Sequence, residues 1–286
     1  MEKIGTQTIW SYFDDDSKVR SASNSAIRCG TGHQVDKYFE LATKVAELQF
    51  LNRDHVLLFR GQRADYRSAK GNSLLKPSLF RLEGDQLPSA TVLAQRFDRL
   101  RRAEAALTTR YSDERFSGSE RLKRHRILRW AILQHYGVCA TPLLDVTQSL
   151  RIAASFASID NSGSEAYVFV FGVPNVSGAI TASSEANLQI VRLSSACPPE
   201  AVRPHLQEGY LLGEYPEVVD FEQNAQYSYQ EMDFGRRLIA KFRFNPKTFW
   251  RSKNFPPAAN NALYPKERRD LLLAVTEQVR QGLVTG

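Results

Sequence analysis

The chain has 286 residues, 42% of them hydrophobic and 24% charged, with a formal charge of +7, which allows one large or two small domains with a buried core. No apolar run of about 18 residues is present and no basic segment followed by an apolar one opens the chain, which argues against a transmembrane helix and makes the cytoplasm the expected compartment. Cys29, Cys139 and Cys197 are odd in number and far apart, so neither a disulfide framework nor a metal knuckle is supported, and reduced, mostly buried thiols are expected.

Residues 1–30 carry Asp14-Asp15-Asp16 and a Ser/Asn-rich stretch and read as an arm or an edge segment. From Val35, Tyr38, Phe39, Ala42, Val45 and Ala46 fit one helical face. Val56-Leu57-Leu58-Phe59 reads as a buried strand ending in Arg60-Gly61-Gln62, which leaves a guanidinium at the sheet edge, suited to a phosphate or carboxylate, beside a flexible glycine. A core ion pair for Arg60 is the plainer alternative. Lys70 to Gly84 reads as a covering loop anchored at Leu74-Leu75. Ser89 can cap a helix with Leu93, Phe97, Leu100 and Leu107 inside, and Ser119 a second one running through Leu122, Leu128, Ala131 and Tyr136. These two carry Arg99, Arg102, Arg121, Arg124 and Arg126, either a solvated outer face or a surface for nucleic acid.

The stretch His135 to Ala157 is the centre of the chain. Gly137 suits a helix C-terminus, Pro142 stops the helix, Leu143-Leu144 is a short strand, and Leu150, Ala153, Ala154 and Ala157 recur at helical spacing. Thr147 is placed to cap that helix, so Asp145, Thr147 and Ser149 should crowd a helix N-terminus with spare backbone donors, where an anion or polar ligand can bind. Asp145 could instead serve those amides structurally, and His135 could cap a helix end. Its spacing to Cys139 does not make a zinc site, because Gly137 breaks the helix and no further ligand pair follows. Phe156 is assigned to the core. Later strands are expected at Ala166 to Phe171, Leu188 to Leu193, around Gln207 to Glu214, and Arg237 to Phe244, with a closing helix from Pro265 to Leu283. The organisation expected is one α+β domain, helices first and sheet mostly later.

Phe59-Arg60-Gly61-Gln62, Gln134-His135-Tyr136-Gly137, Thr141-Pro142-Leu143-Leu144-Asp145-Val146-Thr147 and Ala153-Ala154-Ser155-Phe156-Ala157 together resemble the FRG domain family, named for its Phe-Arg-Gly motif. Arg203, Gln207, Gly209 and Tyr210, then Leu263-Tyr264-Pro265, continue the pattern, with Val146 where the family usually has tryptophan. The resemblance implies an FRG domain over residues 31–286 after the arm. Its motif order is similar to that of ADP-ribosyltransferases, which implies a split β-sheet core with N-terminal and inserted helices and NAD as the substrate cofactor.

On that resemblance Arg60 would clamp NAD, with Gln62, His135, Asp145, Thr147 and Ser149 around it. The catalytic set would come from Gln207, Glu208 and Glu214, with Gln207 orienting and one glutamate supplying the charge that stabilises an oxocarbenium-like ribose. Partners implied are NAD, with RNA (favoured), DNA or protein as acceptor, and a neutralising antitoxin, in a bacterial toxin or phage-defence effector. A non-catalytic nucleotide or nucleic-acid binding module and a phosphate-directed hydrolase remain as alternatives.

Overall fold

The computed structural model describes residues 4, 9–14, 16–81, 86–226, 232–251, 255–266 and 270–284; Asp15 of the acidic triplet lies outside them. The segment expected as an arm is packed over its described residues. β1 (Ile9–Ser11) pairs antiparallel with β2 (Arg20–Ala22), and Asn52 clamps Trp10 by accepting its N–H at 2.9 Å and donating to its carbonyl at 3.0 Å. Ser23 caps α1 (Asn24–Cys29), and β3 (His33–Gln34) leads to α2 (Tyr38–Leu51). The buried row of α2 is Leu41, Val45 and Leu48, not the face containing Phe39, which is 58% exposed. An i, i+4, i+7 row of aliphatic side chains outcompetes the aromatic pair at the first turn.

β4 (Val56–Gln62) is the expected buried strand. A loop follows, held by an isolated bridge between Arg67 and Ser73 and by a 3-10 turn at Ser78–Phe80; Leu75 is its buried anchor. Ser89 caps α3 (Ala90–Asp113), with Phe97, Leu100 and Leu107 inside as expected. The next helix is two: α4 (Ser119–Arg124), with Gly118 rather than Ser119 at its N-cap, and α5 (Arg126–His135), the break falling at an extended His125. β5 (Leu144–Thr147) and α6 (Leu150–Ser158) make up the central unit, followed by β6 (Ala166–Val173), β7 (Ile180–Ser183) and β8 (Leu188–Arg192). Short helices α7 (Leu193–Ala196) and α8 (Val202–Leu206) precede β9 (Gly209–Glu214). α9 (Phe221–Gln226), β10 (Leu238–Phe244), α10 (Asn260–Leu263) and α11 (Leu271–Gly282), the last capped by Asp270, complete the chain. The expected closing helix thus begins later than Pro265, with 267–269 outside the described residues.

Eight strands form one sheet in the order β3-β10-β6-β4-β5-β9-β8-β7. All pairs are antiparallel except β3 with β10, so the domain is α+β, with β4 as an early strand near the sheet's middle. Successive residues of a strand point to opposite faces, and each face meets its own core. Phe59, Val146 and Leu212 join the layer with α2 and α6; Leu211 and Val191 join the layer with α3, α5 and α11. Among the described residues, no helix is long and apolar enough to cross a membrane.

The middle of the sheet is nearly divided. β4 keeps seven register pairs with β6, from Val56 to Gln62, and β5 keeps four with β9, yet β4 and β5 share only Phe59 with Thr147. α6 lies directly over β4 at this point. A Cβ on Gly61 would stand 1.8 Å from the carbonyl oxygen of Ala153 and 2.9 Å from the amide nitrogen of Ala157, and Ala153, Ala154 and Ala157 are fully buried. The glycine of the Phe-Arg-Gly motif is therefore required by backbone contact with a helix of small residues, not by turn flexibility. Gly61→Ala should lower the unfolding free energy by about 3 kcal/mol, at the upper end of overpacking costs, measured as a drop in the urea midpoint; an unchanged midpoint would contradict the contact.

Candidate functional site

The near-division of the sheet opens a cavity of about 680 Å³. Arg60, Gly61 and Gln62 line it from β4, Asp145 to Thr147 from β5, His135 from the end of α5, Gln207 from the turn before β9 and Gly209 as the first residue of β9. The 63–81 loop adds Arg63, Tyr66, Arg67, Lys76 and Arg81, and Phe156 and Tyr264 add aromatic surface. Phe156, assigned to the core from sequence, is only partly buried and meets the Tyr264 ring at 5.9 Å, because its place on α6 faces the cavity rather than the sheet.

Arg60 spans the gap in the sheet. Its Nη1 donates to the backbone carbonyl of Asp145 at 2.6 Å, while its Nε is buried without a partner. Burial pushes the guanidinium down to about 10, against the pull of Asp145, so it stays charged at neutral pH. Gln62 Oε1 is also buried and unpartnered.

Among the described residues Asp145 is the only carboxylate in the lining, against five permanent cations, Arg60, Arg63, Arg67, Lys76 and Arg81, of which Arg67 pairs with Asp65 at 2.9 Å and Arg63 with Asp160 at 3.6 Å. Asp145 Oδ2 accepts from Gln134 Nε2 at 2.7 Å and its Oδ1 faces His135 Nδ1 at 3.4 Å. Burial opposes its ionisation, but the His135 hydrogen bond and charge, Arg60 and the Gln134 amide outweigh that and hold its carboxyl below the usual carboxylate range.

The remaining expected residues fall into three groups. Thr147 lines the cavity, but its hydroxyl is consumed: it donates to the Gln207 carbonyl at 2.8 Å and accepts from Ser149 N–H at 3.0 Å. The cap of α6 is Ser149, which accepts from Ile152 N–H, and Gln148 N–H goes to the Glu208 carbonyl. The amides of Gln148, Ser149 and Ile152 are thus taken up within the protein, and Ser149 is outside the lining.

Gln207 does not sit on a strand. It ends α8 in a right-handed helical conformation, and its Nε2 donates to the Leu263 carbonyl at 2.7 Å. Glu208 follows at φ +46°, exposed and outside the lining. Glu214 is buried at the opposite end of β9, five residues from Gly209, roughly 17 Å away at strand rise. The chain reverses at 207–208, so strand alternation never applies there and neither glutamate reaches the cavity.

The arginine-rich helices are largely tied up. Buried Glu104 takes Arg126 Nε at 3.3 Å, Arg129 Nε at 3.0 Å and Trp130 Nε1 at 2.6 Å. Arg121 donates to the Ala196 carbonyl at 2.8 Å, and Arg102 pairs with Asp98 at 3.3 Å. Arg99 and Arg124 are exposed; none of the five lines the cavity. Of the cysteines, only Cys197 is fully buried, while Cys139 is half-buried and Cys29 exposed.

The three motif residues on β4 now have separate duties: Phe59 packs in the core, Arg60 bridges the split, and Gly61 admits α6. Residues 55–166 match the family model of the FRG domain. Over that stretch the chain is similar to the FRG domain family. The FRG match runs from β4 through the basic helices and the central unit to the first residue of β6, well under half the chain, and leaves Arg203 and Gln207 beyond it. No curated protein and no solved structure matches the chain significantly.

Sequence reasoning missed the cations at Lys76 and Arg81 and the part played by Gln134, although Gln134 stands in the quoted Gln-His-Tyr-Gly motif of the FRG pattern. Because Asp145 ionises more readily folded than unfolded, its contribution to stability is present at neutral pH and lost as pH falls from about 4 through its lowered value. The melting temperature of the wild type should fall more steeply over that range than that of Asp145→Asn; parallel curves would show that Asp145 is not held as a carboxylate.

Proposed function

We propose that the cavity binds NAD and that the protein is an NAD-dependent ADP-ribosyltransferase. The observation that carries this reading is a charged, half-buried arginine with an unpartnered Nε at the near-division of the sheet, in a cavity whose described lining holds five cations and one carboxylate. A surplus of cations in a concave site favours a pyrophosphate, the rings of Tyr66, Phe156 and Tyr264 suit planar bases, and the volume lies within the roughly 300–1,000 Å³ of small-molecule sites. Asp145, not Glu208 or Glu214, is the carboxylate available to the nicotinamide ribose. With two of its roughly four acceptor positions used, it can face the oxocarbenium charge that develops as the glycosidic bond breaks.

The proposed acceptor is nucleic acid, RNA first. The support lies at the cavity mouth, where Arg63, Arg81 and Tyr66 are exposed, rather than on α3 to α5. The setting implied by the FRG resemblance completes the proposal: a cytoplasmic toxin or phage-defence effector with a neutralising partner.

A second reading, a non-catalytic nucleotide-binding module, is favoured by the position of both glutamates outside the lining and by the Gln207 amide being spent on Leu263. Adenylate-labelled NAD incubated with the protein and RNA, DNA or cell lysate separates the two. Nicotinamide release with label transfer is expected; NAD binding without either supports the module instead.

Arg60→Lys keeps the charge and loses the fork. It should weaken NAD binding at least about tenfold, or 1.4 kcal/mol, by calorimetry, with an unchanged circular dichroism spectrum; undiminished affinity would remove Arg60 from the site. Replacing Arg63 and Arg81 by glutamate should weaken RNA binding more than replacing Arg99 and Arg124, read as the salt dependence of affinity. The reverse order would return the acceptor surface to the helices.

A further inference from the structure

A chain of hydrogen bonds orients the groups around Asp145. Ser78 Oγ accepts Thr141 N–H at 3.0 Å, and Thr141 Oγ1 accepts Leu143 N–H at 3.3 Å. Each hydroxyl keeps its proton to donate, and both reach Gln134 Oε1, at 2.8 Å and 2.7 Å, Ser78 Oγ also lying 3.3 Å from the Thr141 carbonyl. Two donors on Oε1 fix the amide, so its NH₂ end faces Asp145 Oδ2 at 2.7 Å. Asp145 Oδ2 therefore acts as an acceptor, and a proton on His135 Nδ1, 3.4 Å from Oδ1, would point at the same carboxylate.

An imidazole protonated on Nδ1 presents a lone pair on Nε2. That atom is buried without a partner, and the His135 side chain is only 4% exposed although the ring lines the cavity. Gly209 makes the position possible: a Cβ there would stand 3.1 Å from His135 Cε1 and 3.6 Å from Nδ1. An acceptor held in one tautomer at the wall of a cavity is completed by a ligand that donates a proton to it.

We propose that His135 is the general base of this site, taking on Nε2 the proton of an O–H acceptor, with Gln134 and Asp145 as the residues that fix its tautomer. The inference rests on the NAD reading and specifies its chemistry. The acceptor oxygen, water in the simplest case, forms a bond to C1′ of the nicotinamide ribose. The C1′–N bond breaks and its electron pair returns to the ring nitrogen, neutralising the pyridinium. The acceptor proton moves to His135 Nε2, and the resulting imidazolium lies against the Asp145 carboxylate. The 3.4 Å separation is of the kind that shortens when the base becomes charged.

The test combines nicotinamide release from NAD into water with ¹⁵N NMR of the histidine side chains in the full chain, the His135 signals being assigned by their loss in His135→Gln. The wild type should show protonated Nδ1 and unprotonated Nε2 at neutral pH, a preference that Asp145→Asn abolishes. His135→Gln should lower kcat for nicotinamide release by about 10²- to 10⁴-fold with the Kd for NAD changed less than about threefold, as expected for a group acting in the transition state. A wild type protonated on Nε2, or a His135→Gln variant with undiminished kcat, overturns the base while leaving NAD turnover standing. A wild type that releases no nicotinamide overturns the transferase reading and the base together.

Discussion

The structure depends on a strand pairing that is almost absent. β4 and β5 lie next to each other in the sheet and share one register pair, Phe59 with Thr147; beyond it the gap is spanned by the Arg60 side chain, donating to the Asp145 carbonyl. A guanidinium thus replaces ladder hydrogen bonds, and the space that a continuous sheet would close becomes the cavity. The rest of the central unit keeps that gap in place. α6 is pressed onto β4 through Gly61 and the alanines, and Thr147 pins the end of β5 to the 207 turn.

The same substitution sets the electrostatics. A sheet interior does not hold an unpaired cation cheaply, and burial lowers the Arg60 pKa without removing the charge. Arg60, Gln62 and His135 each leave a buried polar atom without a partner in the one cavity they line. Buried polar groups are normally paired, and three exceptions around one space mark where binding free energy is available. The Gln134 network supplies the opposite quality: with Ser78 and Thr141 on its Oε1, its amide NH₂ faces the Asp145 carboxylate and orients it.

Local signals carried the fold where local physics decides it. The β4 run, the Ala-rich α6, the Ser89 cap and strand β6 follow from periodicity and capping chemistry, and the Phe-Arg-Gly and Gln-His-Tyr-Gly pieces located the site. What escaped the sequence depends on tertiary partners. Whether Arg121 and Arg126 are surface cations is decided by the Ala196 carbonyl and by Glu104, each distant along the chain. Glu208 is removed from the site by a single left-handed residue after a helix end, and a glutamate at that φ has no sequence signature. Thr147 and Ser149 exchange the expected capping duty because Thr147 is already committed to the Gln207 carbonyl.

The central claim is spatial, that NAD occupies the gap between β4 and β5, and it is tested most directly by determining the structure with NAD or ADP-ribose bound. The account predicts pyrophosphate density against the Arg60 guanidinium and a ribose facing Asp145 and His135. Ligand density elsewhere on the protein, or an empty cavity at a saturating concentration, would contradict it.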